Sequence, residues 1–222
     1  MDDVRQAFES AIIAAALSEL DGNDEAALRL YTEAVNAADA LGDGSNLREA
    51  LDRLFAFHRR RKEYEAAVCV GERSLALWRV QNEPPNESVL TFMNNLAQMH
   101  YRAGRTEPAA KLTEEVIAYR QQSGSEDSAA LALALLNLGT VRQSQGDFVS
   151  ADSHFLRALA MRRHILPADD PAIVEALEHI SNLYVLQKEY RRAIPYEVEM
   201  LAITRRRNRC RPRRLSDHRY GL

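Results

Sequence analysis

The clearest pattern in the sequence is a stripe of apolar residues at helical spacing, placed directly after a glycine-containing turn. Phe148, Ala151, Phe155 and Ala158 stand at i, i+3, i+7 and i+10, so they share one face of an α-helix. The turn Gln145-Gly146-Asp147 separates this stripe from an earlier apolar run with Leu135, Leu138, Gly139 and Val141. The pattern predicts two helices joined by a tight turn, and we call them helix A and helix B.

The same arrangement recurs along the chain with a near-constant period. An alanine near the start of each helix B recurs after 40, 42, 42 and 42 residues, at Ala27, Ala67, Ala109, Ala151 and Ala193. A period of this length indicates one supersecondary unit that is copied along the chain, each copy burying its apolar face against the next. We predict one array over residues 6–204, with repeats at 6–45, 46–87, 88–129, 130–171 and 172–204.

Local signals at the ends of the predicted helices agree with this repeat. Gly146 suits the left-handed residue that ends a helix, and the equivalent positions hold Gly22, Lys62, Gly104 and Lys188. Before helix A of the fifth repeat, Asp170-Pro171 offers a capping aspartate followed by proline at the first helical position. The segments 126–128 and 85–88 supply similar polar starts.

Composition narrows the class of protein further. The chain of 222 residues contains only 9 Gly and 7 Pro, which fits a helical protein. Its N-terminus lacks a basic start followed by an apolar run, and the apolar stretch 11–17 is too short to span a bilayer. Cys69 and Cys210 match no metal or redox spacing. We therefore expect a cytoplasmic protein in a reducing compartment.

The net charge of −3 conceals an asymmetry between the body of the chain and its end. Residues 205–222 hold eight of the 29 bases and one of the 32 acids, so they carry +7 and residues 1–204 carry −10. Clustered arginines could neutralise phosphates. However, this stretch has one aromatic residue, no recognisable binding module, and an acidic body before it. We expect residues 205–222 to be a disordered tail, and binding of nucleic acid is disfavoured.

The repeat resembles the tetratricopeptide repeat. The family pattern is best met in the fourth repeat, by Leu135, Leu138-Gly139, Gly146, Phe148, Ala151, Phe155 and Ala158. The common form has a period of about 34 residues. The longer period here, with the segments 93–105, 135–148 and 158–173, is similar to the variant found in kinesin light chains and in many bacterial regulatory proteins. Departures are His58 and His100 where an aromatic is usual, and Gly71 and Glu197 where Phe is usual.

The resemblance implies an all-α, right-handed α-solenoid of about five helix–turn–helix repeats. It also implies a non-enzymatic module that binds another protein in a concave groove lined by helices A. By position, the groove residues are Arg53, Asn94, Asn95, Gln98, Arg102, Asn137, Thr140, His179 and Asn182. The second repeat also offers Asp52. Asparagine carries donors and an acceptor and can hold a peptide backbone, while arginine can hold a carboxylate in a bidentate pair.

Each of these groove residues also has a structural interpretation. Asn95 and Asn137 could hydrogen-bond the neighbouring helix, since Asn recurs in this family's helix A. Arg53 and Arg102 could belong to a solvated face, as charges on helices usually do. His58 and His100 share one repeat position, 42 residues apart, which marks them as structural replacements for the usual aromatic.

No pattern for catalysis or for a cofactor stands out. The histidines and cysteines lack metal-ligand spacing, and neither a nucleophile elbow nor a phosphate-binding loop occurs. We expect no enzymatic activity, no cofactor and no bound metal.

The resemblance therefore predicts a protein–protein interaction module that binds an extended peptide or a partner helix. A regulatory sensor that controls a partner protein, and a nucleic-acid adaptor acting through the basic tail, are the alternatives. The last helix B keeps an apolar stripe, Ile194, Val198, Leu201 and Ala202, with no obvious helix after it. Since solenoids usually end in a polar helix, the stripe predicts a weak homodimer through the C-terminal helix.

Overall fold

The protein is built from paired helices. A computed structural model describes residues 2–80, 84–124 and 128–210, and within these ranges it contains ten helices and no strand. The helices are α1 (Asp2–Leu20), α2 (Asp24–Leu41), α3 (Gly44–Arg60), α4 (Tyr64–Val80), α5 (Glu87–Arg102), α6 (Thr106–Gln122), α7 (Ala129–Ser144), α8 (Phe148–Ile165), α9 (Pro171–Leu186) and α10 (Tyr190–Cys210). The odd-numbered helices are the predicted helices A and the even-numbered ones the helices B. The predicted all-α class is therefore confirmed.

The turns between helix A and helix B have the predicted backbone. Gly22, Gly104 and Gly146 adopt φ of 74°, 78° and 80°, and Lys62 and Lys188 adopt 60° and 61°. The left-handed residue allows the chain to reverse direction within a few residues. Glycine does this without a steric penalty, whereas the two lysines accept one.

The predicted helix starts are also confirmed. Asp170 caps α9 by accepting a hydrogen bond of 2.8 Å from the amide of Ala172, with Pro171 in the first turn. Asn86 caps α5 and Ser128 caps α7 through their side-chain oxygens. Each cap satisfies an amide that the helix itself leaves without a partner.

The chain divides into two compact units, Met1–Val116 and Ile117–Leu222. In the first unit, α1, α2 and α3 enclose a core of small and aromatic side chains, including Tyr31 and Phe57, whose ring centroids lie 5.7 Å apart. In the second unit, α7 and α8 pack together around Phe155, which is completely buried, and α9 packs on α8 and α10. His58 and His100, the expected replacements for an aromatic, are both buried.

The packing between helix A and helix B depends on one complementary pair of positions. In the second unit a Cβ on Gly139 of α7 would collide with the ring of Phe155 on α8. In the first unit the sizes are reversed, since a Cβ on Gly71 of α4 would lie 3.0 Å from the ring of Phe55 on α3. Gly71, where the family usually has Phe, is thus explained, because helix A supplies the aromatic ring instead.

Helix α10 extends beyond the predicted array. It continues to Cys210, so the first six residues of the expected tail are helical. The rest of that tail, residues 211–222, lies outside the described residues.

Candidate functional site

The first unit contains a cleft between two helices A, with a helix B as its floor. Arg48 and Asp52 of α3 line one side, and Ser88, Val89 and Phe92 of α5, with its capping residue Asn86, line the other. Ser74, Leu75 and Trp78 of α4 form the floor. The cleft has a volume of about 100 Å³, well below the roughly 300–1,000 Å³ of sites for small-molecule ligands. Its size suits a single side chain of a partner.

Asp52 is the most unusual residue of this cleft, because its carboxylate is half-buried between helices. The buried hydroxyl of Ser74 donates a hydrogen bond of 2.5 Å to its Oδ1. Burial raises the pKa of Asp52, while the Ser74 hydrogen bond and the charge of Arg48 act in the opposite direction. A carboxylate kept in such a place can recognise a donor or a cation that enters the cleft.

The sequence places Asp52 on helix A but does not reveal the rest of this cleft. Ser74 and Trp78 lie on helix B, whereas the resemblance implies a groove lined by helices A. One signal for this cleft is present in the sequence. The position of Asp52 is occupied two repeats later by the apolar residue Leu136, so the acid itself distinguishes the second repeat.

The other predicted groove residues of the first unit differ in accessibility. Arg53 is exposed and its Nη2 lies 3.4 Å from Glu49 Oε1, one turn earlier in α3. On α5, Asn94 is only 7% exposed, Asn95 and Gln98 are half-buried, and Arg102 is exposed. Asn95 and Gln98 are three residues apart and therefore share one face of α5. They can reach a ligand, whereas the burial of Asn94 suits a structural role.

In the second unit, two predicted residues come together across neighbouring helices A. Thr140 Oγ1 of α7 lies 3.5 Å from Nδ1 of His179 on α9, and it also donates to the Leu136 carbonyl at 2.9 Å. The His179 ring stacks on Phe155, with centroids 5.1 Å apart. Burial lowers the pKa of His179, which favours the neutral ring. Asn137 is half-buried on the same helix as Thr140.

Asn182 belongs to a different surface, a cleft of about 370 Å³ between α9 and α10. We call it the terminal cleft. Its lining mixes apolar groups with two carboxylates: Val174, Glu178, Ser181, Asn182, Glu197, Met200, Leu201 and Thr204. The hydroxyl of Ser181 donates to Glu197 Oε1 at 3.0 Å. Beside this cleft, the predicted apolar stripe of α10 is exposed: 54% for Ile194, 59% for Val198 and 56% for Leu201.

Within the described ranges, no cluster of three or more His, Cys, Asp or Glu side chains is placed to hold a metal ion. The helices that the structure describes include none with both the length and the apolar character to cross a membrane. The clefts described above present amides, carboxylates, guanidinium groups and aromatic rings.

Comparison with known proteins agrees with this description. The model of the tetratricopeptide repeat family matches residues 48–122 and 130–206, which is more than half of the chain. Among curated proteins, no sequence matches this one.

Solved structures share the fold at low sequence identity. BtubC (BKLC) from P. vanneervenii is 23% identical with a TM-score of 0.76, over 92% of this chain and 82% of the other. A putative kinesin light chain from Podosopora anserina with nearly identical TPR-like repeats is 17% identical with a TM-score of 0.76, over 93% and 97% of the chains.

A Rap protein complexed with competence and sporulation factor is 14% identical, with a TM-score of 0.63, over 90% of this chain and 54% of that one. The putative kinesin light chain shares the fold of this chain, and the family match over more than half of its length shows what it is: a tetratricopeptide-repeat protein.

Proposed function

We propose that this protein is a non-enzymatic interaction module that binds an extended peptide or a partner helix on the exposed faces of its helices A. Tetratricopeptide repeats typically mediate protein–protein interactions, and stacked helical repeats create extended surfaces for binding. The partner would be another protein or a peptide.

The observation that carries the proposal is the cleft between α3, α4 and α5. It combines aromatic groups, from Trp78 in the floor and Phe92 in one side, with the half-buried carboxylate of Asp52. Binding energy in protein interfaces concentrates where a side chain enters a desolvated pocket and a few polar groups fix its orientation. A cleft of one side chain's size on an open helix face has this character.

Two half-buried amides extend this surface along α5. Asn95 and Gln98 can each donate and accept a hydrogen bond, and they could hold the backbone of a peptide whose side chain fills the cleft. In the second unit, Asn137 and the Thr140–His179 pair offer similar polar groups on α7 and α9. We propose these as the binding residues of each unit.

The test is a peptide selection with the full chain as bait, followed by affinity measurements on the selected peptides. Asn95→Ala, combined with Asn137→Ala, removes the amides, and Asp52→Asn removes the charge of the cleft at constant shape. We expect each change to weaken binding at least tenfold, or about 1.4 kcal/mol.

A matched control is Asn36→Ala, which removes an exposed asparagine from α2, a helix B. This variant should bind the selected peptides as the original chain does. If Asn36→Ala weakens binding and the other variants do not, binding takes place on the helix-B surface and the proposal is wrong.

A regulatory sensor remains the second candidate, favoured by the neighbouring Rap protein, which was solved in complex with competence and sporulation factor. In that case the same faces would bind a peptide signal, and the affinity of a second protein would change on its addition. A nucleic-acid adaptor working through the arginines of 205–222 is the third candidate, and it predicts binding that weakens steeply with salt.

A further inference from the structure

The terminal cleft is the repeat equivalent of the cleft in the first unit. A shift of three periods, 126 residues, converts the lining of the first cleft into the lining of the second: Arg48, Asp52, Ser74, Leu75 and Trp78 become Val174, Glu178, Met200, Leu201 and Thr204. All five equivalents line the terminal cleft. The two clefts are therefore the same feature of the fold in two repeats.

The two clefts differ in what covers them. The start of the next helix A, residues 86–92, forms one side of the first cleft, whereas in the described part of the chain no helix follows α10. The volume rises accordingly, from about 100 to about 370 Å³. In the first unit the next helix A therefore covers part of the surface that is open in the terminal cleft.

The terminal cleft also carries acids at positions where the fourth repeat has apolar residues. In the fourth repeat the equivalents of Glu178 and Glu197 are Leu136 and Phe155, and both are buried. Asp52, the acid in the second repeat, has Arg48 one turn earlier, but Glu178 has Val174 there. Within the described residues, neither Glu178 nor Glu197 takes part in an ion pair. A segment that covers this cleft must therefore bring positive charge to it.

One segment of the chain meets both requirements. Shifted by the same 126 residues, the covering segment 86–92 corresponds to residues 212–218. The segment 211–222 carries four arginines and one aspartate, so its net charge is +3. Ser88 and Val89, which line the first cleft, correspond to Arg214 and Leu215, a base beside an apolar residue.

The segment is also long enough to reach the cleft. From Thr204 to Cys210, α10 rises roughly 9 Å, while twelve residues of extended chain span up to about 40 Å. The chain can reverse after α10 and return along the cleft to Glu178 and Glu197.

We propose that residues 211–222 occupy the terminal cleft of their own chain, with Arg213 and Arg214 paired to Glu178 and Glu197. In that position they act as a built-in ligand, and another basic peptide can bind the cleft only by displacing them. The residues that line the terminal cleft differ from the binding residues proposed above, so this proposal does not rest on the proposed function.

The test uses full-length chains and a fluorescent peptide of residues 211–222. In the original chain the cleft is already occupied, so the peptide should bind weakly. In a chain with Arg213→Glu and Arg214→Glu, residues 211–222 no longer occupy the cleft. We expect the peptide to bind this chain at least tenfold more tightly. Adding Glu178→Lys and Glu197→Lys to that chain should abolish the binding.

Charge reversal on both sides provides the specific control. A peptide in which Arg213 and Arg214 are replaced by Glu should bind a chain with Glu178→Lys and Glu197→Lys alone, whose own arginines no longer fit the cleft. It should not bind the chain with Arg213→Glu and Arg214→Glu alone, and it should bind weakly to the chain with all four changes, whose own tail fits its cleft again. A chain with Glu25→Lys and Glu33→Lys, two exposed acids of α2, together with the two arginine changes should bind the original peptide unchanged.

Two results would overturn the proposal. One is equal binding of the peptide to the original chain and to the chain with Arg213→Glu and Arg214→Glu. Residues 211–222 would then not occupy the cleft in the original chain. The other is a concentration-dependent dimer of the original chain, seen by light scattering, that is lost with Glu178→Lys and Glu197→Lys but persists with Val198→Glu. A second copy of the chain would then be the occupant.

Discussion

Lys62 and Lys188 occupy turn positions that glycine fills in the other three repeats. Both have φ near 60°, a conformation that costs an L-residue about 1–2 kcal/mol. The surroundings do not compensate for this cost by packing, because both side chains are exposed. These two turns therefore hold strain that the turns at Gly22, Gly104 and Gly146 do not.

Replacing Lys188 by Gly should stabilise the protein. The relief of backbone strain exceeds the added entropy of glycine in the unfolded chain, which is about 0.4–1 kcal/mol, so we expect a net gain of about 0.5 kcal/mol. Chemical denaturation of the original chain and of the Lys188→Gly variant measures this difference in the free energy of unfolding. The matched control is Gly146→Ala: no atom lies within 4 Å of the added Cβ, so its loss of about 1 kcal/mol would come from the backbone alone. A decrease in stability for Lys188→Gly would show that the turn is not strained.

At the scale of the helix pair, one contact between helix A and helix B sets how closely the two helices approach. The five equivalent pairs are Ala15 and Tyr31, Phe55 and Gly71, Ala97 and Thr113, Gly139 and Phe155, and Ser181 and Glu197. Repeats one and four place the aromatic on helix B, and repeat two places it on helix A. The fifth pair is polar and joined by a hydrogen bond of 3.0 Å, which fits its place beside the terminal cleft.

Gly139→Ala should destabilise the protein by about 1–3 kcal/mol, the usual cost of overpacking a core, because the added methyl meets the rigid Phe155 ring. Gly71→Ala should cost less, since its nearest obstacle, at 2.7 Å, is the Cδ1 methyl of Leu96, which can rotate away. Denaturation midpoints of the two variants, and of Gly139→Ala with Phe155→Leu, measure these costs. In the double variant the smaller side chain makes room, so the two changes should not be additive. Additive effects would mean that Gly139 and Phe155 do not determine each other's size.

At the scale of the whole molecule, the arginines that end the helices B contribute to the stacking of repeats. Arg79 Nη2 lies 2.8 Å from Glu115 Oε2 in the first unit, and Arg163 Nη2 lies 2.6 Å from Glu199 Oε2 in the second. Each pair joins a helix B to the helix B of the next repeat. The sequence explains these arginines only by the dipole of their own helix, and the structure adds a partner one repeat away. Exposed pairs of this kind contribute little individually, about 0–1 kcal/mol.

The apolar stripe of α10 bears on how whole molecules associate. Three large apolar side chains more than half exposed on one helix face are typical of a surface that another chain covers. We therefore expect weak self-association that Val198→Glu abolishes, measured by light scattering over a wide range of concentration. Thr32→Glu, an exposed change on α2, is the control for added charge. A monomeric mass at the highest concentration would rule out the homodimer.

The sequence by itself determined the helix pairs, their turns and their caps, because these depend on residues close together in the chain. The period of 42 residues and the left-handed turn positions are properties of local backbone conformation, and they repeat visibly. The same reasoning gave the helix-A positions of Asn95, Asn137 and His179, since helical spacing fixes which residues share a face.

Only the tertiary structure decided which of these side chains are accessible and which of them meet. It buries Asn94, pairs Thr140 with His179 and gathers Asp52, Ser74 and Trp78 from two helices into one cleft. It also shows that Leu96 and Phe55 together leave no room for a side chain at Gly71. Such facts depend on contacts between residues far apart in the chain, and helical periodicity carries no information about which face of one helix meets which face of another.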